Sequence, residues 1–217
     1  MAATALVEIA AARPQCLQAR SLSSRSKLPF KAALYRDTLL WRIEELARSA
    51  LRAYDCEDHV SGIILARAAM ETIAALNSLH HLVTKYEGGE ADRIDDTLMS
   101  MLMGSRTRDD RPNALNILGA IDRLTKSLTA MRKLYDELSE YAHPNDCGTA
   151  SSFAVLKTVP LSATFTRRGE QYDRRAWLLI ESMATSLMLV MPLYAELVAA
   201  APQFALRCEA DAEGMGG

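Results

Sequence analysis

The sequence predicts an all-α protein: a bundle of five to seven helices with a small β-hairpin inserted before the last long helix. Three observations carry that prediction. Apolar residues recur at three- and four-residue steps through most of the chain, as at Met131, Leu134, Tyr135, Leu138, Tyr141 and Ala142. One long stretch, Ile63–Val83, is apolar nearly all round, which marks a helix buried at the centre of a bundle. Between residues 152 and 166 the pattern changes to two short, partly β-branched runs.

Residues 1–27 read as an N-terminal arm, disordered or loosely packed. Met1–Ala12 is apolar but has no basic flank and contains Glu8, unlike a secretory signal. Residues 13–27 carry Arg13, Arg20, Arg25, Lys27 and several serines without an acid, a faint likeness to an organelle transit peptide; the arm is the reading preferred. A single domain then spans 28–207. Its first helix runs Phe30–Asp55, with Ala33, Leu40, Ile43, Ala47, Ala50, Leu51 and Tyr54 inward and Glu44–Arg48 paired on the wet side. Cys56-Glu57-Asp58 is a break, and Asp58 is a suitable cap for the helix that follows.

The second helix covers His59–Tyr86 and is stopped by Gly88-Gly89. Arg67, Glu71, Ser78 and His81 share one side of it. A buried Arg and Glu need partners beyond each other, so this stripe reads either as a structural ion pair or as one wall of a cleft. Ala91–Met103 is a third helix. The loop Gly104–Asn113 holds Arg106, Arg108 and Arg111 and reads as a solvated surface loop, with anion binding as the alternative. Helices over Ala114–Lys126 and Leu128–His143 follow. Pro144 ends the latter, and Asn145, Asp146 and Gly148 supply turn chemistry.

Ser152–Val159 and Leu161–Thr166 form the hairpin, closed off by Arg167-Arg168-Gly169. The last helix runs from Tyr172 to about Leu206, broken or kinked near Pro192 and Pro202, and residues 208–217 are a flexible tail. Trp177–Ala201 is very apolar, but Glu181, Pro192 and Glu196 interrupt it. The uncharged run is too short for the ~20 residues a bilayer span requires, so a buried core helix is expected and no membrane partner.

Composition sets further bounds. The chain has 217 residues, 49% of them apolar, enough to bury a sizeable core. Its net charge of −2 argues against a generic nucleic-acid binder, which would be basic. The four cysteines are far apart and lack metal-finger spacing, so a reduced, cytoplasmic setting is the simplest reading.

The chemistry-bearing side chains gather at the end of the fifth helix. His143 lies at the helix C-terminus, where the dipole favours a cation, and Glu140 shares its surface. Two readings follow: a capping His on a solvated face, or a His–carboxylate site. The candidate catalytic residues are His143, Glu140, Ser139, Arg67 and Glu71. Asn145, Tyr141 and Arg132 are candidate binding residues beside them. Glu140-x-x-His143 also has the spacing of a di-iron ligand pair, and Glu71 could join it in a metal-assisted hydrolase. Such sites need a second pair, which the sequence lacks, so no metal and no cofactor are expected.

Three segments resemble a group of bacterial helical proteins of the HEPN-like type, similar to helical domains in prokaryotic toxin and defence proteins. They are Ala66-Arg67-Ala68-Ala69-Met70-Glu71-Thr72, Ala114-Leu115-Asn116-Ile117-Leu118 followed by Ile121-Asp122, and Tyr135-Asp136-x-Leu138-Ser139-Glu140-x-x-His143-Pro144-Asn145. The likeness covers roughly residues 30–200. It implies a helical interaction or ligand-binding module, defence or toxin–antitoxin related, acting as a homodimer with a protein or RNA partner. Ribonuclease members carry an Arg followed, after four to six residues, by a His. Taking His143 as that His places the Arg at 136, 137 or 138, where this chain has Asp136, Glu137 and Leu138. The acidic replacements would repel a phosphate backbone. A metal-independent endoribonuclease therefore requires His143 as acid/base, with Arg67 or Arg132 supplying the cation. The non-catalytic module is the preferred expectation.

Overall fold

A computed structural model describes residues 2–214, and these fold into a mostly helical bundle with one small hairpin. The elements are α1 (Ala2–Ala12), a 3-10 turn (Ala19–Ser21), α2 (Leu28–Asp55), α3 (His59–Lys85), α4 (Ala91–Met103), α5 (Ile117–Ser127) and α6 (Ala130–Ala142). There follow a single helical turn α7 (Ala150–Phe153), strands β1 (Ala154–Thr158) and β2 (Leu161–Phe165), α8 (Tyr172–Leu187) and α9 (Val190–Gly214).

Helix α3 is the axis of the bundle. It is apolar and long enough to cross a bilayer, and here that apolarity is met by α2, α5, α6, α8 and α9 packed around it. Ile63, Ala66, Ala69, Met70, Ile73, Ala74, Leu76 and Leu79 are fully buried. Around them sit Leu40, Ile43 and Ala47 of α2, Ile121 and Leu124 of α5, Leu138 of α6, and Leu178, Leu179 and Met183 of α8. Glu57, with φ of 59°, turns the chain between α2 and α3 in the left-handed region, a conformation uncommon for a residue with a Cβ.

Helix boundaries follow local chemistry. The expected start of α5 at Ala114 moves to Ile117, because the Asn116 side chain accepts from the Gly119 amide at 3.2 Å and caps the helix there. Helix α6 ends at Ala142. His143 is its C-cap, with the extended φ/ψ of −89°/150° that a residue before proline adopts. The last helix is two helices. Pro192 stands in the first turn of α9, where proline is tolerated, and its ring would clash with the carbonyl four residues back at Met188; the chain breaks at 188–189. Pro202 lies within α9, which continues past it.

Both ends of the described chain carry helix. Part of the N-terminal arm is a helix, α1, whose Ile9 is fully buried, and Arg13 ties the following turn to Glu44 at 2.7 Å. The Trp41 indole donates to the Pro14 carbonyl at 3.0 Å. Of the expected tail, residues 208–214 continue α9 to Gly214, and residues 215–217 lie outside the described residues. Glu209 accepts from the Ser23 hydroxyl at 2.7 Å and the Ser24 amide at 2.9 Å. Asp211 accepts from the Gly89 amide at 2.7 Å and from the Tyr86 hydroxyl. These partners lie far away in sequence, so no local signal announces them.

The hairpin pairs Ala154 with Phe165 through Thr158 with Leu161, antiparallel, and projects from the bundle. Its apolar side chains Leu156, Val159, Leu161 and Phe165 are exposed.

Candidate functional site

The polar residues named above are distributed over α3, α6 and the turn that follows α6. They fall into three small groups along α3 and α6, separated by the rise of the helices.

The first group joins the two helices. Tyr135 of α6 is buried at 3% exposure, and its hydroxyl sits between Arg67 and Glu71 of α3. Arg67 Nη2 donates to Tyr135 Oη at 2.9 Å, and Tyr135 Oη donates to Glu71 Oε1 at 2.9 Å. Arg67 and Glu71 also meet directly at 3.4 Å, and the Arg67 guanidinium lies 5.1 Å from the centre of the Tyr135 ring. Burial, and then the Glu71 carboxylate it donates to, hold the Tyr135 phenol above its ordinary pKa. Cation, hydroxyl and carboxylate engage one another, while Arg67 Nε is buried without a partner among the described residues. The shared hydroxyl answers the demand that an Arg and a Glu on an apolar helix have more partners than each other.

Tyr135→Phe removes both hydrogen bonds while keeping the ring. It is expected to cost about 1–3 kcal/mol, since the bonds run to charged, half-buried groups. A double-mutant cycle with Glu71→Gln should show coupling. Wild-type melting of Tyr135→Phe would show that the bridge does not form.

The second group is local to the end of α6. The Ser139 hydroxyl donates back to the Tyr135 carbonyl at 2.8 Å. Glu140 Oε2 accepts from Asn145 Nδ2 at 2.8 Å, so the carboxylate braces the turn after Pro144. His143 is exposed, and its ring makes no hydrogen bond or ion pair among the described residues. His143 is eight residues beyond Tyr135, about 12 Å along the helix. Arg67 is engaged with Tyr135, and among the described residues it makes no hydrogen bond with His143. Tyr141 points inward and donates to Gln171 Oε1 at 3.2 Å. Arg132 lies on the outer face and is held by Asp122 at 2.6 Å and Asp136 at 3.0 Å.

The third group is the rest of the α3 stripe. Ser78 accepts from Arg123 of α5 at 3.0 Å, and His81 is exposed. Ser78 shares a helix face with Arg67 but lies about 16 Å further along the axis, where α5 and not α6 passes. Among the described residues, Glu71, Glu140 and His143 do not converge in a ligand cluster. The tip of the Gly104–Asn113 loop, Arg106–Asp110, is exposed, with Arg108 paired to Asp110 at 3.0 Å.

A groove of about 570 Å³ opens between α2 and α9, beside the 3-10 turn. Ala32 and Ala33 of α2 and Ala201 and Ala205 of α9 form its small-residue walls, and Leu197 and Phe204 line its buried side. Arg36, paired with Asp37 at 2.6 Å, and Glu209, fixed by Ser23, are its polar margins. A concave, largely apolar recess of this volume with few polar groups is the usual form of a small-molecule site. None of these residues belongs to the set chosen from the sequence, because alanines and leucines lining a groove have the same helical spacing as those in a core.

No family model, no curated protein and no solved structure matches the chain.

Proposed function

We propose that this protein is a non-catalytic helical ligand-binding module of the HEPN-like type, whose ligand seat is the groove between α2 and α9. The observation that carries the proposal is that groove: about 570 Å³, walled by alanines where two helices could have packed closely, and margined by Arg36 and Glu209. The ligand class it fits is a small, elongated apolar molecule. The acid–base reading draws less support: among the described residues Arg67 is engaged by Tyr135 and Glu71, Arg132 by two aspartates, and the exposed His143 ring makes no hydrogen bond or ion pair.

Titration with the fluorescent dye anilinonaphthalene sulfonate tests the reading. Saturable binding at one site is expected. Ala205→Trp, at a half-buried wall position, should weaken it at least tenfold with the fold intact. Absence of saturable binding, or binding unchanged by Ala205→Trp, would overturn it. Cleavage of an RNA panel that persists in EDTA and disappears in His143→Ala would favour the ribonuclease instead.

A further inference from the structure

The N-terminal end of α3 holds a second recess, of about 150 Å³, lined by Glu57, Asp58, His59, Val60, Ser61, Phe153, Arg167 and Arg175. Arg175 of α8 is its floor. The side chain is among the most buried in the protein, at 1% exposure, and among the described residues no carboxylate is paired with it. Its Nη1 donates to the Ser152 carbonyl at 2.8 Å and its Nη2 to the Arg167 carbonyl at 2.9 Å; its Nε has no partner. Two carbonyls orient the guanidinium but do not neutralise it, and a buried charge is ordinarily paired.

His59 forms the adjoining wall. It is 4% exposed, its ring stacked on Tyr54 at 5.7 Å and tilted against Tyr172 at 4.7 Å, and its Nδ1 is also without a partner among the described residues. The backbone adds a third element. Asp58 occupies the N-cap position of α3, yet its side chain does not cap the first turn. The carboxylate is turned instead to Arg167 at 2.7 Å. The first-turn residues His59, Val60 and Ser61, at the positive end of a 27-residue helix, line the recess without a side-chain cap from Asp58.

The charges around the opening do not cancel. Arg167 pairs with Asp58 and Arg168 with Glu57 at 2.6 Å, which leaves Arg175 as the uncompensated cation. The geometry points to an oxyanion site here: Arg175, the first-turn amides of α3, His59 and Arg167 together bind the phosphoryl group of a free phosphate or of a small phosphomonoester. Guanidinium groups and helix N-termini are the two donors best matched to phosphate oxygens. A cavity of this volume holds a molecule the size of benzene, so a tetrahedral oxyanion fits with room for an ester oxygen. The Arg167 side chain, mostly exposed, stands at the mouth where it can close over the ligand. The site lies apart from the groove between α2 and α9, sharing no lining residue with it, and stands or falls independently of that reading.

The test is amide NMR on the full chain at constant ionic strength, titrated separately with inorganic phosphate and with phenyl phosphate, chloride being the control. Saturable shifts at His59, Val60 and Ser61 are expected with at least one of the two. Phosphate alone would identify a free-ion site; both would identify a terminal phosphoryl group. Arg175→Met tests the floor directly but endangers the fold. Two surface variants therefore carry the decision. Arg167→Gln should weaken binding at least tenfold, and Asp58→Asn, which removes a carboxylate beside the anion, should tighten it several-fold. A loss of folding cannot produce these opposite signs. No saturable shift with either ligand, or unchanged affinity in both surface variants, overturns the proposal.

Discussion

Leu76→Ala is expected to destabilise the protein by about 2–5 kcal/mol, the range for removing a leucine from a site that cannot collapse. Leu76 is fully buried near the middle of α3, and α3 is enclosed by five other helices. For a chain of this length each kcal/mol corresponds to about 2–4 °C, so the melting temperature should fall by roughly 10 °C. Urea unfolding should show a lower midpoint with an unchanged slope, because the surface exposed on unfolding is nearly the same. A loss under about 1 kcal/mol would mean that α3 is not the axis around which the other helices pack.

Gly148→Ala should be nearly as damaging, at about 3 kcal/mol, for a different reason. A Cβ built on Gly148 falls 2.0 Å from the carbonyl oxygen of His143 and 2.9 Å from that of Tyr141. Both are backbone atoms, so no side chain can rotate away, and the turn after α6 must open. Overpacking against movable side chains costs about 1–3 kcal/mol, and a backbone clash lies at the upper end. Opening the turn also separates the Gly148 amide from Asn145 Oδ1, now 3.1 Å away, and with it the brace from Asn145 to Glu140. Amide NMR of the variant should place the disturbance at residues 140–149 and leave α3 unchanged. Wild-type stability in Gly148→Ala would contradict this packing of the turn.

The fold was largely legible because its signals are local. The start of α3 at His59 and both ends of α4 at Ala91 and Met103 follow from breaks, glycines and apolar spacing. The hairpin follows from its β-branched runs. What was not legible depends on distant partners. Helix α1 is ordered by burial of Ile9, and the end of α9 by Ser23, Gly89 and Tyr86, none of which is near in sequence.

The site was legible only as pairs. Arg67 and Glu71 were recognisable as needing more partners, but nothing in the sequence could name Tyr135, which reads as one more residue of an apolar stripe. The α3 polar stripe shares a face yet meets different helices at different heights. Arg175 did leave a trace. It lies at the three- and four-residue spacing of Leu178, Leu179, Ser182 and Met183, so an arginine stands on the buried stripe of α8. The groove left none, since its alanines have the helical spacing of core alanines, and Ala32 and Ala33 are themselves buried.

The central claim is that ligand recognition belongs to the groove between α2 and α9, and not to the polar end of α6. Amide and methyl NMR of the full chain, titrated with anilinonaphthalene sulfonate, measures this directly. The account predicts saturable shifts centred on Ala32, Ala33, Ala201 and Ala205, with the signals of Glu140, His143 and Asn145 unmoved. Shifts centred on Arg67, Tyr135 and His143, with the groove unmoved, would contradict it.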